Sequence, residues 1–195
     1  MPEPMIKGAV IRDFVEWYGE RYGVDAVRRL GEKLPSPMQA MIDLDDPAFK
    51  LLGSSWYPAR LVHAMLDVHA ADKTPQEMAR FLHEANRGFV KHGATKSVYR
   101  VFLKKLVTPE LYALCVPRFW RQWHSTGERR MKIVRKGLAE SYVAKWPGHH
   151  PHLCTMTIET MCAVFETMGC SGVTWERVTC VFDGANECKT IVSWR

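Results

Sequence analysis

Cys180 and Cys188 stand with seven residues between them across a predicted hairpin, and Cys154 lies upstream at the start of an amphipathic segment. Thiolates are soft ligands, and zinc takes four tetrahedral ligands drawn from thiolate, imidazole and carboxylate groups. Three thiols gathered by a helix start and a strand pair could hold such an ion, line a small pocket, or fill a core. Free cysteine is among the most buried residue types, and Cys115, Cys162 and Cys170 are read as small buried hydrophobes on that ground.

The elements that would position these thiols follow from periodicity. Val10, Ile11, Phe14, Val15, Trp17 and Tyr18 recur at helical spacing between Ile6 and Tyr22, with Gly23 as the stop. Asp25 is expected to cap a short helix that ends before Pro35, and residues 44–55 are expected to form a loop. Pro58, Pro75 and Pro109 each open a predicted helix, where a missing amide hydrogen costs nothing, and Thr74 with Glu77 makes a capping box. Helices are predicted over about 58–71, 75–91, 94–106 and 109–124, with Gly93 as a break. Beyond Gly127 the pattern gives a hairpin turning at Lys136 and Gly137, a helix from Pro151 to Met168, and two strands joined at Asp183 to Asn186. The fold class is therefore α+β: one domain with an N-terminal helical set over residues 1–126, packed on a C-terminal antiparallel sheet of ββαββ order over 127–195.

Composition narrows the function classes. The 195 residues are 47% hydrophobic and 25% charged, an ordinary globular balance. No stretch has the roughly 20 apolar residues of a membrane span, and the N-terminus lacks the apolar core of a signal peptide, so a cytoplasmic protein with reduced thiols is expected. Much of the net charge of +6 comes from Lys and Arg between Arg87 and Lys136. Phe119, Trp120 and Trp123 lie among Arg118, Arg121, Arg129, Arg130, Lys132, Arg135 and Lys136, a mixture that could stack bases. Their spacing fits a buried helical stripe opposite a solvated basic face better, which argues against nucleic acid. No nucleophile elbow, Walker loop, dinucleotide glycine motif or HExxH helix occurs, so no catalytic residue is assigned and a non-enzymatic role is expected.

Several strings carry a family resemblance. Ile6-Lys7-Gly8-Ala9-Val10-Ile11 and Trp17-Tyr18-Gly19-Glu20-Arg21-Tyr22-Gly23 look like the opening of haem nitric-oxide-binding domains. The stretch from Cys180 through Asp183-Gly184 to Glu187-Cys188 looks like the ending of 4-vinyl-reductase-type sensor domains, which share a superfamily with TRAPP transport subunits. Ser55-Trp56-Tyr57-Pro58 and Pro117-Arg118-Phe119-Trp120 are similar to a family with many paralogous copies in myxobacteria. In the phenol-sensing vinyl-reductase-type members, cysteines at this spacing bind zinc with an acid three positions before the first of the pair; here that position is Arg177, which cannot ligate. Strand alternation puts Glu176 on the side of Cys180 and makes it the substitute ligand beside Cys154, Cys180 and Cys188, with His149, His150 and His152 as other candidates. The haem-binding members carry a Tyr-x-Ser-x-Arg motif that has no counterpart here, and Ser97-Val98-Tyr99-Arg100 has the wrong order. That argues against haem despite the eight histidines, of which His63, His69, His83 and His92 fall on predicted helices.

By resemblance, the expected role is a sensory or regulatory module that encloses a small hydrophobic ligand, with zinc as the candidate ion. Candidate pocket residues are Trp56, Tyr57, Val62, Leu66, Phe102, Leu106, Tyr112 and Trp120, each of which core packing would also explain. The competing expectation is a protein-interaction adaptor of the TRAPP kind, a homodimer joined through its helices with its interior filled.

Overall fold

Ile11, Phe14, Val15 and Trp17 fall on one side of a helix and are buried there, and that stripe organises the N-terminal half. The computed structural model describes residues 3–95 and 108–195. A short strand β1 (Met5–Lys7) leads into α1 (Gly8–Tyr22), followed by α2 (Val24–Glu32) and the single turn α3 (Ser36–Gln39). Strand β2 (Trp56–Pro58) pairs antiparallel with β1, and α4 (Ala59–Ala70) and α5 (Pro75–Thr95) complete the first half. Then come α6 (Pro109–Trp123), β3 (Glu128–Arg135), β4 (Leu138–Ala144), α7 (Pro151–Thr167), β5 (Thr174–Thr179) and β6 (Glu187–Ser193). The second sheet is antiparallel in the order β3-β4-β6-β5. Among the described residues, no helix is long and apolar enough to cross a membrane.

The capping box forms as its spacing requires: the Glu77 carboxylate accepts from the Thr74 amide at 2.8 Å, and the Glu77 amide donates to the Thr74 hydroxyl at 3.3 Å. Gly23 rather than Asp25 caps α2, so Asp25 lies within the first turn, and Pro58 is the last residue of β2 rather than the first of α4. The expected break at Gly93 does not occur, because α5 runs through it to Thr95; one glycine inside a helix costs only about 1 kcal/mol. The helix predicted over 94–106 otherwise lies outside the described residues.

Helix α7 is the centre of the molecule. It buries Leu153, Met156, Ile158, Met161 and Phe165 at nearly every turn position, as a helix sandwiched between the sheet and other helices must. On one side it meets the inward residues of the sheet, where β4 and β6 alternate strictly and bury Ala139, Ser141 and Val143 against Cys188, Thr190 and Val192. On the other it packs on α5, where Arg87 reaches Glu159 at 2.8 Å and Glu166 at 2.6 Å. Gly88 lies where α5 passes Trp17: a Cβ there would overlap the indole ring.

Candidate metal centre and ligand cavity

Pro151 opens α7 and places Cys154 in its first turn, facing the sheet. Cys188 comes from the second position of β6, and Cys180 follows the end of β5. A tight turn holds Cys180, because its carbonyl accepts from the amides of Asp183 at 3.0 Å and Ala185 at 3.2 Å, with Gly184 at φ +87° allowing the chain to reverse. The loop between β4 and α7 adds His149. The Sγ atoms of Cys154, Cys180 and Cys188 and a ring nitrogen of His149 all lie within 4.8 Å of one another. Cys180 Sγ is 3.7 Å from Cys188 Sγ and 3.4 Å from His149 Nε2. A tetrahedron of 2.3 Å zinc–sulfur bonds has edges of about 3.8 Å, close to the separation of the Cys180 and Cys188 sulfurs.

The electrostatics suit a thiolate centre. Cys188 is pulled down to about 4 chiefly by the hydrogen bond from the Cys154 thiol, helped by His149, the Val181 amide at 3.3 Å and Cys180. The same hydrogen bond, with burial, pushes Cys154 up. Arg177 sits beside the thiols and donates to the Thr155 hydroxyl at 2.7 Å, and its charge favours their ionised forms.

Glu176 is not part of this cluster. It lies exposed on β5 opposite Ile191, on the outward face of the sheet, and the register shifts only beyond it, between Arg177 and Thr179. That irregularity interrupts the two-residue alternation, so Cys180 turns inward while Glu176 and Val178 face out. His150 and His152 are also elsewhere: His150 Nε2 meets Asp67 at 3.0 Å, its ring stacks on His63, and His152 packs beside it. Sequence spacing could not choose among three histidines within four residues.

A second site lies between α1, α4, α6 and α7, a cavity of about 1010 Å³ with largely apolar walls. Of the candidate pocket residues, Val62, Leu66, Tyr112 and Trp120 line it. Trp56 and Tyr57 do not: Trp56 lies under the Lys7 ammonium at 4.8 Å, and the Tyr57 hydroxyl accepts from the Leu52 amide at 2.9 Å. Phe102 and Leu106 lie outside the described residues. Two polar side chains that the sequence did not single out as ligand groups also line the cavity, His124 and Arg129. The His124 ring stacks on Trp120 at 3.9 Å, and burial, then the nearby Arg129, push it down to about 3. It is a neutral imidazole at physiological pH, the form that ligates metals. Arg129, expected among the exposed cations, is turned inward by β3, while Arg130 faces out to Glu187 at 2.8 Å.

No protein-family model matches the chain, and no curated protein matches it. Solved structures do. An H-NOX protein from S. oneidensis in the Fe(II)NO ligation state superposes with a TM-score of 0.69 at 11% identity, over 97% of this chain and 99% of that one. An oxygen-binding H-NOX domain related to soluble guanylate cyclases gives 0.67 at 10% identity, over 97% and 95%. A single-substitution mutant of T. tengcongensis H-NOX gives 0.66 at 10% identity, over 97% and 98%. The chain therefore has the fold of these H-NOX domains, whose heme distortion is the subject of a similar structure. This overturns the expectation against haem: the missing propionate motif outweighed neither the shared fold nor a cavity that offers a neutral imidazole, a guanidinium and apolar walls, a donor set that fits the group.

Proposed function

We propose that this chain is a non-enzymatic sensory domain that encloses a small hydrophobic ligand in the cavity between its helices, with haem as the leading occupant and a structural zinc at the sheet edge. The observation that carries the reading is the cavity itself, about 1010 Å³ of largely apolar space holding His124 and Arg129. That volume is at the upper end of ligand pockets, roughly 300–1,000 Å³, and far beyond ordinary packing voids. An adaptor with a filled interior would leave no such space. Bound haem would supply an iron site for a diatomic gas. Within this chain, His124 would offer the iron its imidazole, Trp120 and Trp146 would fix the ring plane, and Phe14, Leu66, Val116 and Met156 would exclude water. The zinc reading rests on His149, Cys154, Cys180 and Cys188, and is supported by the resemblance of the Cys180 to Cys188 ending to vinyl-reductase-type sensors.

Titration of the purified apoprotein with protohaem tests the cavity. A saturable Soret shift at one equivalent, weakened or moved by His124→Leu, is the expected result. No saturable shift would remove haem, and failure of a fluorescent apolar probe to bind as well would remove the cavity as a ligand site.

A further inference from the structure

Between α1, α2, α4 and the turn after α4 lies a smaller cavity, of about 220 Å³, that shares no lining residue with the large one. Its wall carries six polar side chains, Tyr18, Arg29, Lys33, His69, Asp72 and Lys73, and is otherwise aliphatic. His69 is the most buried of them, at 5% exposure, and its Nε2 has no hydrogen-bond partner among the described residues. Aromatic rings surround it without answering it, Phe81 with its centre at 4.6 Å and Tyr18 at 4.8 Å. Burial, then Lys73 and Lys33, push His69 down to about 4, so the ring is uncharged at neutral pH. A buried polar atom without a partner is costly, and folded proteins leave few of them.

The wall holds three cations and one carboxylate. Local structure accounts for part of this. Lys33 and Lys73 follow the C-terminal ends of α2 and α4, where positive charge suits the helix dipole, and Lys73 Nζ donates to the His69 carbonyl at 2.9 Å and lies 5.4 Å from the centre of the Phe81 ring. These duties leave donors over, since an ammonium has three and a guanidinium five. Lys33 meets Asp72 only at 3.5 Å with both side chains mostly exposed, a weak pair that a third group can enter. We infer that this cavity binds inorganic phosphate: Arg29, Lys33 and Lys73 meet its charged oxygens, the Tyr18 hydroxyl and the neutral His69 ring add donors, and Asp72 accepts the proton that the phosphate keeps. Asp72 sets the class of anion. A carboxylate on the wall repels an oxyanion that has no proton, such as sulfate, whereas hydrogen phosphate offers it an O–H. The site needs neither haem nor zinc to be present.

The test is calorimetric titration of the whole chain with sodium phosphate and with sodium sulfate, at matched ionic strength and neutral pH in a buffer free of both. Phosphate should bind at one equivalent and tenfold or more tightly than sulfate. Arg29→Met should weaken phosphate tenfold or more, and Asp72→Asn should remove the preference by strengthening sulfate. Heats that do not saturate for phosphate, showing a general salt effect only, would overturn the inference. Equal binding of the two anions by the unaltered protein would overturn it too, as would a preference that survives Asp72→Asn. Arg29 and Asp72 are exposed, so both variants should fold, which melting curves without phosphate check. If either does not, the phosphate-to-sulfate ratio of the unaltered protein and the other variant decide.

Discussion

Removal of zinc separates a metal centre from a cluster of packed thiols. Cys188 is 3% exposed and meets Cys154, Cys180, His149 and the Val181 amide. If these groups are core alone, Cys188→Ala deletes one buried sulfur and costs about 1–2 kcal/mol, the ordinary range for a small truncation. If they hold zinc, the ion's binding energy is also folding energy. Free zinc at a thousand times its dissociation constant adds about 4 kcal/mol, since stabilisation follows RT ln(1 + [L]/Kd). For a chain of 195 residues, 1 kcal/mol moves the melting temperature by about 2–4 °C, so zinc should raise it by roughly 8–16 °C. The assay is paired calorimetry of zinc-loaded and chelated protein, with zinc counted by inductively coupled plasma mass spectrometry. One equivalent of zinc and a large chelator-sensitive shift are expected. Cys188→Ala should show neither and should melt near the chelated protein, less the small packing cost. His149→Ala should weaken zinc binding, whereas Glu176→Ala should not. A melting temperature indifferent to chelation, in protein without zinc, would refute the reasoning and return the thiols to the core.

Two further outcomes concern the helical half. Arg87→Met leaves the buried Glu159 without its guanidinium and should cost about 3–5 kcal/mol in urea denaturation, with Arg87→Met/Glu159→Gln recovering much of it; a loss below about 1 kcal/mol would show that the pair contributes little. His69 is pushed down to about 4 by burial and by Lys73 and Lys33, and His124 down to about 3. Both folded values lie below the unfolded 6.5, so the unfolded chain takes up protons that the folded one refuses. Stability is complete above about pH 6.5 and falls as pH drops toward 4, by about 1.4 kcal/mol per pH unit for each histidine. His69→Gln should remove one proton's worth of that slope in denaturant titrations, and an unchanged slope would count against its burial as a neutral ring.

The sheet explains both what the sequence showed and what it concealed. Alternation along β3 from Glu128 puts Arg129, Met131 and Ile133 on one face and Arg130 and Lys132 on the other, so the inward arginine was legible by parity. The neighbouring cations conceal it, because a run of basic residues reads as one solvated face. On β5 the same rule pointed to the wrong residue: an irregularity after Arg177 moves Cys180 to the buried side and leaves Glu176 in solvent, and nothing in Arg177-Val178-Thr179 announces the extra residue. The cavity was only partly legible, because Val62 and Leu66 have the same composition and spacing whether a helix lines a void or fills a core.

Helix α7 shows why the two sites were hard to separate in the sequence. Its first turn gives Cys154 to the cluster of thiols with His149, Met156, Thr157 and Thr160 line the cavity, and Glu159 and Glu166 hold Arg87 of α5. Three faces are thus used within 13 residues, from Cys154 to Glu166, and the only polar groups that remain are those with partners. Thr157 donates to the Cys154 carbonyl at 2.8 Å, and Thr160 donates to Asn86 at 2.6 Å. The apolar stripe of such a helix reads from sequence as plain core. What its side-chain pattern does not announce is a main-chain contact: the Thr157 backbone carbonyl accepts from Arg129 at 3.2 Å, where a buried guanidinium would ordinarily demand an acid.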